Sequence, residues 1–204
     1  GKAADKADLQ RIFGLPEKPD VPVVAMVSRL ASHKGFDLVR RVADELLDAE
    51  NVQFVLLGTG ESELEDFFSG LSERHRGKCG VMLAYDGRLA KQIYAGADIF
   101  LMPSKSEPCG LSQMIASRYG AVPVVRKVGG LCDTIKPYNP ATGEGNGFTF
   151  VTYNAHDMLD AIRRSVKLYS NKAQWKRLVS NAMNMDFSWN ASAKKYIEMY
   201  ESLR

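Results

Sequence analysis

Histidine and cysteine are scarce, with three of each in 204 residues. Cys79, Cys109 and Cys132 form no CxxC pair and have no zinc-like spacing. An odd count without a framework points to a reducing, cytoplasmic setting rather than a disulfide-stapled domain. No Asp and His cluster has metal-ligand spacing, so neither metal nor cofactor is expected. The histidines are scattered, and none is paired locally with Cys109, which disfavours a thiol nucleophile. Apolar runs fall well short of the ~20 residues of a membrane span. The opening residues, GKAADKADLQ, lack the apolar stretch of a signal peptide. Gly1 stands where an initiator methionine would, as in a processed, engineered or excised chain. Charge of one sign is lacking too. Lys and Arg number 27 against 24 Asp and Glu, leaving +3 scattered along the chain. That excludes a general nucleic-acid or polybasic membrane surface. There is no internal repeat and no low-complexity segment.

What is present is an alternation of short apolar runs with helical patterns. VPVVAMV (21–27), VQFVLLG (52–58), CGVMLA (79–84), DIFLMP (98–103) and AVPVVR (121–126) read as strands. They show little polar alternation, the mark of strands buried on both faces of a parallel sheet. Between them lie helical stretches. In GFDLVRRVADELLDAE, Val39, Val42, Ala43 and Leu46 recur at helical spacing. ESELEDFFSGLSERHRG, RLAKQIYAGA and LSQMIASRYG follow the next strands. After a turn-rich loop at 136–147, FTFVTY is a candidate sixth strand. Helices over 155–170, 172–184 and 189–204 close the chain, the last with Trp189, Ala193, Tyr196, Ile197 and Tyr200 on one stripe. The pattern predicts a single α/β domain over 1–204, a doubly wound parallel sheet of about six strands.

In such sheets ligands bind at the carboxyl ends of the strands, so each loop after a strand is a candidate. SRLASHKG (28–35) carries Arg29 and Lys34 into a helix start, where free N–H groups and cations suit a diphosphate. Two solvated side chains are the plain alternative. GTGE (58–61) brings Gly58, but the dinucleotide fingerprint fails at Glu63, where a third glycine belongs. Its glycines suit a tight turn near a ligand. Tyr85, after the third strand, is placed to stack on a nucleobase or to cover the sheet edge. PSKSEPCGLSQ (103–113) sets Glu107 beside a helix start whose N–H groups at Gly110, Leu111 and Ser112 suit an anion. Glu107 would either cap those donors or accept sugar hydroxyls and stabilise positive charge at an anomeric carbon. KVGGLCDT (127–134) reads as a second phosphate-side loop or a plain turn before a short helix entered at Asp133 and Thr134.

Taken together, SRLASHKGFDL, YAGADIFLMPSKSEPCGLSQMIASRYGAVPVVRKVGGLCDTI, NGFTF and AMNMDFSWNASAKKYIEMY resemble the bacterial glycogen synthase and plant starch synthase family over nearly the whole chain. The resemblance implies the second half of a GT-B fold, two Rossmann-like domains facing across a cleft. It implies transfer of glucose from ADP-glucose to the non-reducing end of an α-1,4-glucan with retention, in the cytoplasm, or in a plastid if the source is a plant. Arg29 and Lys34 would hold the diphosphate and stabilise departing ADP. Tyr85 would lie against adenine, Glu107 would bind the transferred glucose, and Gly58, Cys109, Gly110, Leu111 and Ser112 would complete the donor site. Position 115, where many transferases of this fold carry a second glutamate, is Ile115. The family's Lys-x-Gly-Gly-Leu motif has no match, so the partner domain bearing it is expected to be absent from this chain. The rival readings are a non-catalytic nucleotide- or glucan-binding module and a transferase of the same fold using a UDP-sugar.

Overall fold

The computed structural model describes residues 1–203. Six parallel strands form one sheet: β1 (Val23–Val27), β2 (Gln53–Leu57), β3 (Cys79–Met82), β4 (Ile99–Met102), β5 (Val122–Arg126) and β6 (Phe148–Phe150). Their spatial order is β3-β2-β1-β4-β5-β6. The chain thus winds outward one way from β1, then returns to its other side at β4. The six-strand, doubly wound expectation holds, with the sixth strand only three residues long.

Nine helices are described: α1 (Lys2–Ile12), α2 (Phe36–Ala49), α3 (Ser62–Arg74), α4 (Gly87–Gly96), α5 (Ser112–Arg118), α6 (Gly130–Thr134), α7 (Ala155–Tyr169), α8 (Lys172–Met183) and α9 (Trp189–Glu201). α6 starts at Gly130 and ends at Thr134, so Asp133 lies inside it rather than at its entrance. The expected end of the last helix, position 204, lies outside the described residues.

The strands are apolar at successive positions because both faces are covered. Val24, Met26, Phe54 and Leu56 face a core made with Val39, Val42, Leu46, Phe68 and Leu159. Val23, Ala25, Val55 and Leu57 face a second core with Leu9, Phe13, Leu89 and Ile93. Side chains alternate faces along a strand, so two covered faces erase the polar alternation of a half-exposed sheet.

α1 was not predicted, and its anchoring explains why. Its inward side is polar: Lys6 and Gln10 are buried beside Leu9. Lys6 Nζ lies 2.7 Å from the Asp98 carboxylate, with both side chains under a tenth exposed. The same ammonium donates to the Tyr169 hydroxyl at 2.9 Å and the Pro19 carbonyl at 3.0 Å. Asp98 also accepts from the Val23 N–H at 2.9 Å, so this pair joins α1 to the starts of β1 and β4 and the end of α7. Gln10 donates to Gln53 at 2.7 Å. A helix held by such contacts has no apolar stripe to read.

α9 is the reverse case. Its predicted stripe is real but unpacked: Trp189 is 88% exposed, and Tyr196, Ile197 and Tyr200 are all exposed. No α9 residue is buried among those described.

Candidate functional site

The topological switch point lies between β1 and β4, where neighbouring crossovers leave in opposite directions and their loops part to form a crevice. A hollow of about 270 Å³ opens there. Its walls include Ser28, Lys34, Ser104, Glu107, Gly110 and Ser112, from the loops after β1 and β4.

Glycine chemistry brings those two loops into contact. After β1 the chain makes a 3-10 turn (Ser32–Lys34) and enters α2 through Gly35 at φ +80°, a left-handed conformation that side-chain-bearing residues resist. A Cβ on Gly35 would stand 2.2 Å from the Pro103 carbonyl oxygen, so only glycine permits this approach. The Lys105 N–H donates to the His33 carbonyl at 2.9 Å across the same seam. From the other side, Cβ atoms on Gly129 and Gly130 would each come within 2.1 Å of the Glu107 and Cys109 carbonyl oxygens respectively. The Gly130 N–H donates to the Glu107 carbonyl at 3.2 Å. The GG loop thus braces the segment bearing Glu107. Arg126 adds a third support, donating to the Lys105 carbonyl at 3.0 Å and the Ser104 carbonyl at 3.5 Å.

Within this frame the Glu107 side chain is nearly buried and does not cap α5. Its Oε2 accepts from Lys34 Nζ at 2.8 Å and from the Ser104 hydroxyl at 3.1 Å. Its Oε1 has no protein partner among the described residues. The capping alternative is therefore overturned: the carboxylate turns toward the loop after β1. The N–H groups of Cys109, Gly110, Leu111 and Ser112 have no acceptor among the described residues. Gln113 fixes their direction from beneath. Fully buried, its Nε2 donates to the Gly110 carbonyl at 2.9 Å and Thr134 Oγ1 at 3.2 Å. The Tyr94 hydroxyl donates to Ser112 Oγ at 3.1 Å, leaving the Ser112 proton free to point elsewhere. Burial raises the Tyr94 phenol above its ordinary range, keeping it a donor.

The structure therefore gathers Lys34, Glu107, Gly110, Leu111 and Ser112 at one hollow. Arg29 follows Ser28 at its rim, with an exposed side chain that makes no ion pair among the described residues. Cys109 is exposed beside the hollow. Tyr85 is 99% exposed beyond edge strand β3. Gly58 packs on the loop after β1, where a Cβ would stand 1.8 Å from the Ser28 carbonyl oxygen. Sequence reasoning passed over Ser104, Gln113, Tyr94 and Arg126. Ser104 and Gln113 lie inside the segment it singled out, but no spacing rule marks a buried hydroxyl or amide that works through a neighbour.

This arrangement has relatives. The family described as glycosyl transferases group 1 matches residues 8–184. A glycogen synthase of Bacillus subtilis (strain 168) is 50% identical over 202 residues, which are 99% of this chain and 42% of that protein. A glycogen synthase of Geobacillus thermodenitrificans (strain NG80-2) is 52% identical over 202 residues, 99% of this chain and 41% of its own length. Among solved structures, the catalytic domain of starch synthase IV from Arabidopsis thaliana, bound to ADP and acarbose, superposes with a TM-score of 0.88 at 36% identity. That match covers 98% of this chain and 42% of the plant domain. The chain thus spans about two fifths of the length of these relatives and corresponds to their C-terminal half. It belongs to the group 1 glycosyltransferases, and within them it is a C-terminal GT-B domain of the glycogen and starch synthase kind.

Proposed function

We propose that this domain binds the donor in a retaining hexosyl transfer from ADP-glucose to the non-reducing end of an α-1,4-glucan, acting with an N-terminal domain that completes the cleft. The observation that carries the reading is the meeting of Lys34, Glu107 and the unpaired N–H groups of residues 109–112 in one crevice at the switch point. Cations and free amides attract an anion, while a carboxylate with one free oxygen accepts hydroxyl protons. At about 270 Å³ the hollow is just below the ~300–1,000 Å³ of most small-molecule pockets, which suits a hexose with its neighbouring phosphate rather than a whole nucleotide sugar.

In this reading Lys34 and Arg29 neutralise the diphosphate and so stabilise ADP as it departs. Ser112 and the amides of Cys109, Gly110 and Leu111 contact the distal phosphate and sugar. Glu107 holds the hexose and stabilises positive charge developing at the anomeric carbon. Gly58 keeps the floor beside Ser28 low, and Tyr85 offers a face for adenine. In this reading the N-terminal domain would rest against the exposed α9 stripe and against the separate hollow lined by Leu111, Ile115, Tyr119 and Met185, which ends at Ser188 just before α9. A reducing, cytoplasmic setting belongs to the same proposal.

Titration calorimetry of the chain with ADP tests it. Wild type should bind weakly, and Arg29→Ala and Lys34→Ala should each bind more weakly still. Equal heats for all three proteins would count against the site. In the full-length enzyme, Glu107→Ala should lower kcat strongly, and near-normal turnover would remove Glu107 from the chemistry.

A further inference from the structure

Glu107 is held by two donors on one oxygen. Lys34 Nζ and the Ser104 hydroxyl both reach Oε2, at 2.8 and 3.1 Å, while Oε1 has no protein partner among the described residues. The two donors differ in what a bound diphosphate would do to them. Lys34 is cationic and about a fifth of its side chain is exposed. A diphosphate offers it more negative charge than one carboxylate does, and a lysine ammonium on its flexible stem re-aims readily. Ser104 is neutral, 2% exposed and fixed through its own carbonyl by Arg126. No charge on a donor competes for it.

We propose that Ser104 is a positioning residue, whose hydroxyl keeps Glu107 Oε2 in place and Oε1 facing the hexose while Lys34 turns to the diphosphate. The inference rests on the donor-site reading above and adds a division of labour to it. Lys34 serves two anions in turn, and Ser104 serves one throughout. Without the hydroxyl, Glu107 would lose its fixed rotamer when the donor arrives, the stage at which its geometry matters most.

The test compares Ser104→Ala and Ser104→Thr with wild type in the full-length enzyme, with melting temperatures measured alongside. A hydrogen bond to a charged group supports a fall in kcat of roughly tenfold to a hundredfold for Ser104→Ala. KM for ADP-glucose should rise by a smaller factor than kcat falls, because the diphosphate contacts remain while the hold of Glu107 on the hexose loosens. Ser104→Thr retains the hydroxyl and should recover most of the rate. Calorimetry with ADP on the 204-residue chain should give Ser104→Ala near-wild-type binding, while Lys34→Ala loses affinity. Wild-type kcat in Ser104→Ala, with or without a lower melting temperature, would overturn the proposal. So would equal losses in the Ala and Thr variants. If Ser104→Ala does not fold, Ser104→Cys, of similar size but a weak donor, takes its place under the same criteria. A wild-type chain that binds no ADP would instead strike the donor-site reading, and the Ser104 role with it.

Discussion

Gly35 is the most economical place to test how this site is assembled. Replacing it with alanine adds one methyl group and removes no polar contact. Two costs follow. At φ +80° an L-residue loses about 1–2 kcal/mol in the left-handed region. The new methyl would also stand 2.2 Å from the Pro103 carbonyl oxygen, well inside the 3.0 Å that real Cβ contacts respect. That oxygen belongs to backbone, so the loops after β1 and β4 must separate. Overpacking of this kind costs a further ~1–3 kcal/mol. Gly14 supplies the matched control: it has φ +64°, but a Cβ there would meet nothing within 4 Å. Gly14→Ala should therefore show the backbone cost alone. At ~2–4 °C per kcal/mol for a chain of this size, Gly35→Ala should melt about 2–12 °C below Gly14→Ala. The functional effect should be larger than the thermal one. Lys34 precedes Gly35 and Glu107 lies four residues beyond Pro103, so parting the loops pulls the 2.8 Å ion pair open. Misplacement near 1 Å can cost about a hundredfold in rate. Differential scanning fluorimetry reads the thermal effect, ADP calorimetry the loosening of the site, and turnover of the full-length enzyme the loss of rate. Melting of Gly35→Ala no lower than Gly14→Ala, together with unchanged ADP binding, would refute the argument that glycine at 35 sets the approach of the two loops.

Other measurements reach the frame and the core. Lys6→Met leaves the buried Asp98 carboxylate without its cation, and breaking such a pair costs about 3–5 kcal/mol, so melting should fall by roughly 6–20 °C; a fall under about 3 °C would show that α1 is not anchored through this pair. Burial pushes the Cys79 thiol up to about 12, so iodoacetamide at pH 8 should label exposed Cys109 and spare Cys79 until denaturant is added. The same shift carries a sign: the unfolded thiol loses its proton near pH 8.5 while the folded one keeps it. Stability should therefore decline as pH rises from about 8.5 toward 12, and Cys79→Ala should flatten that decline in a melting series.

Much of this protein can be read along the chain. Five of the strands were legible as compact apolar runs, and α2 as a one-sided stripe, because burial on two faces or one leaves a pattern in consecutive residues. The positions at the ends of β1 and β4 followed from topology, since parallel crossovers place such loops at one rim. Lys34 and Glu107 could be named as candidates for that reason. α1 was not legible, because Lys6 and Gln10 are buried by polar partners at positions 98, 169 and 53 that no local window contains. The bounds of β6 and α6 were blurred for a related reason: three and five residues carry too little periodicity to mark an end.

Local order, then, determined the residue types at the rim and the layered sheet that presents them. The three-dimensional fold alone decided that Glu107 turns to Lys34 and Ser104 instead of capping α5, that paired glycines brace its loop, and that Arg29 and Tyr85 stand outside the hollow. The physical reason is range. Patterns of burial repeat every two or three to four residues, but Lys34 and Glu107 lie 73 residues apart. Their meeting depends on backbone passing within contact distance of backbone, which glycine permits and only the packed structure arranges.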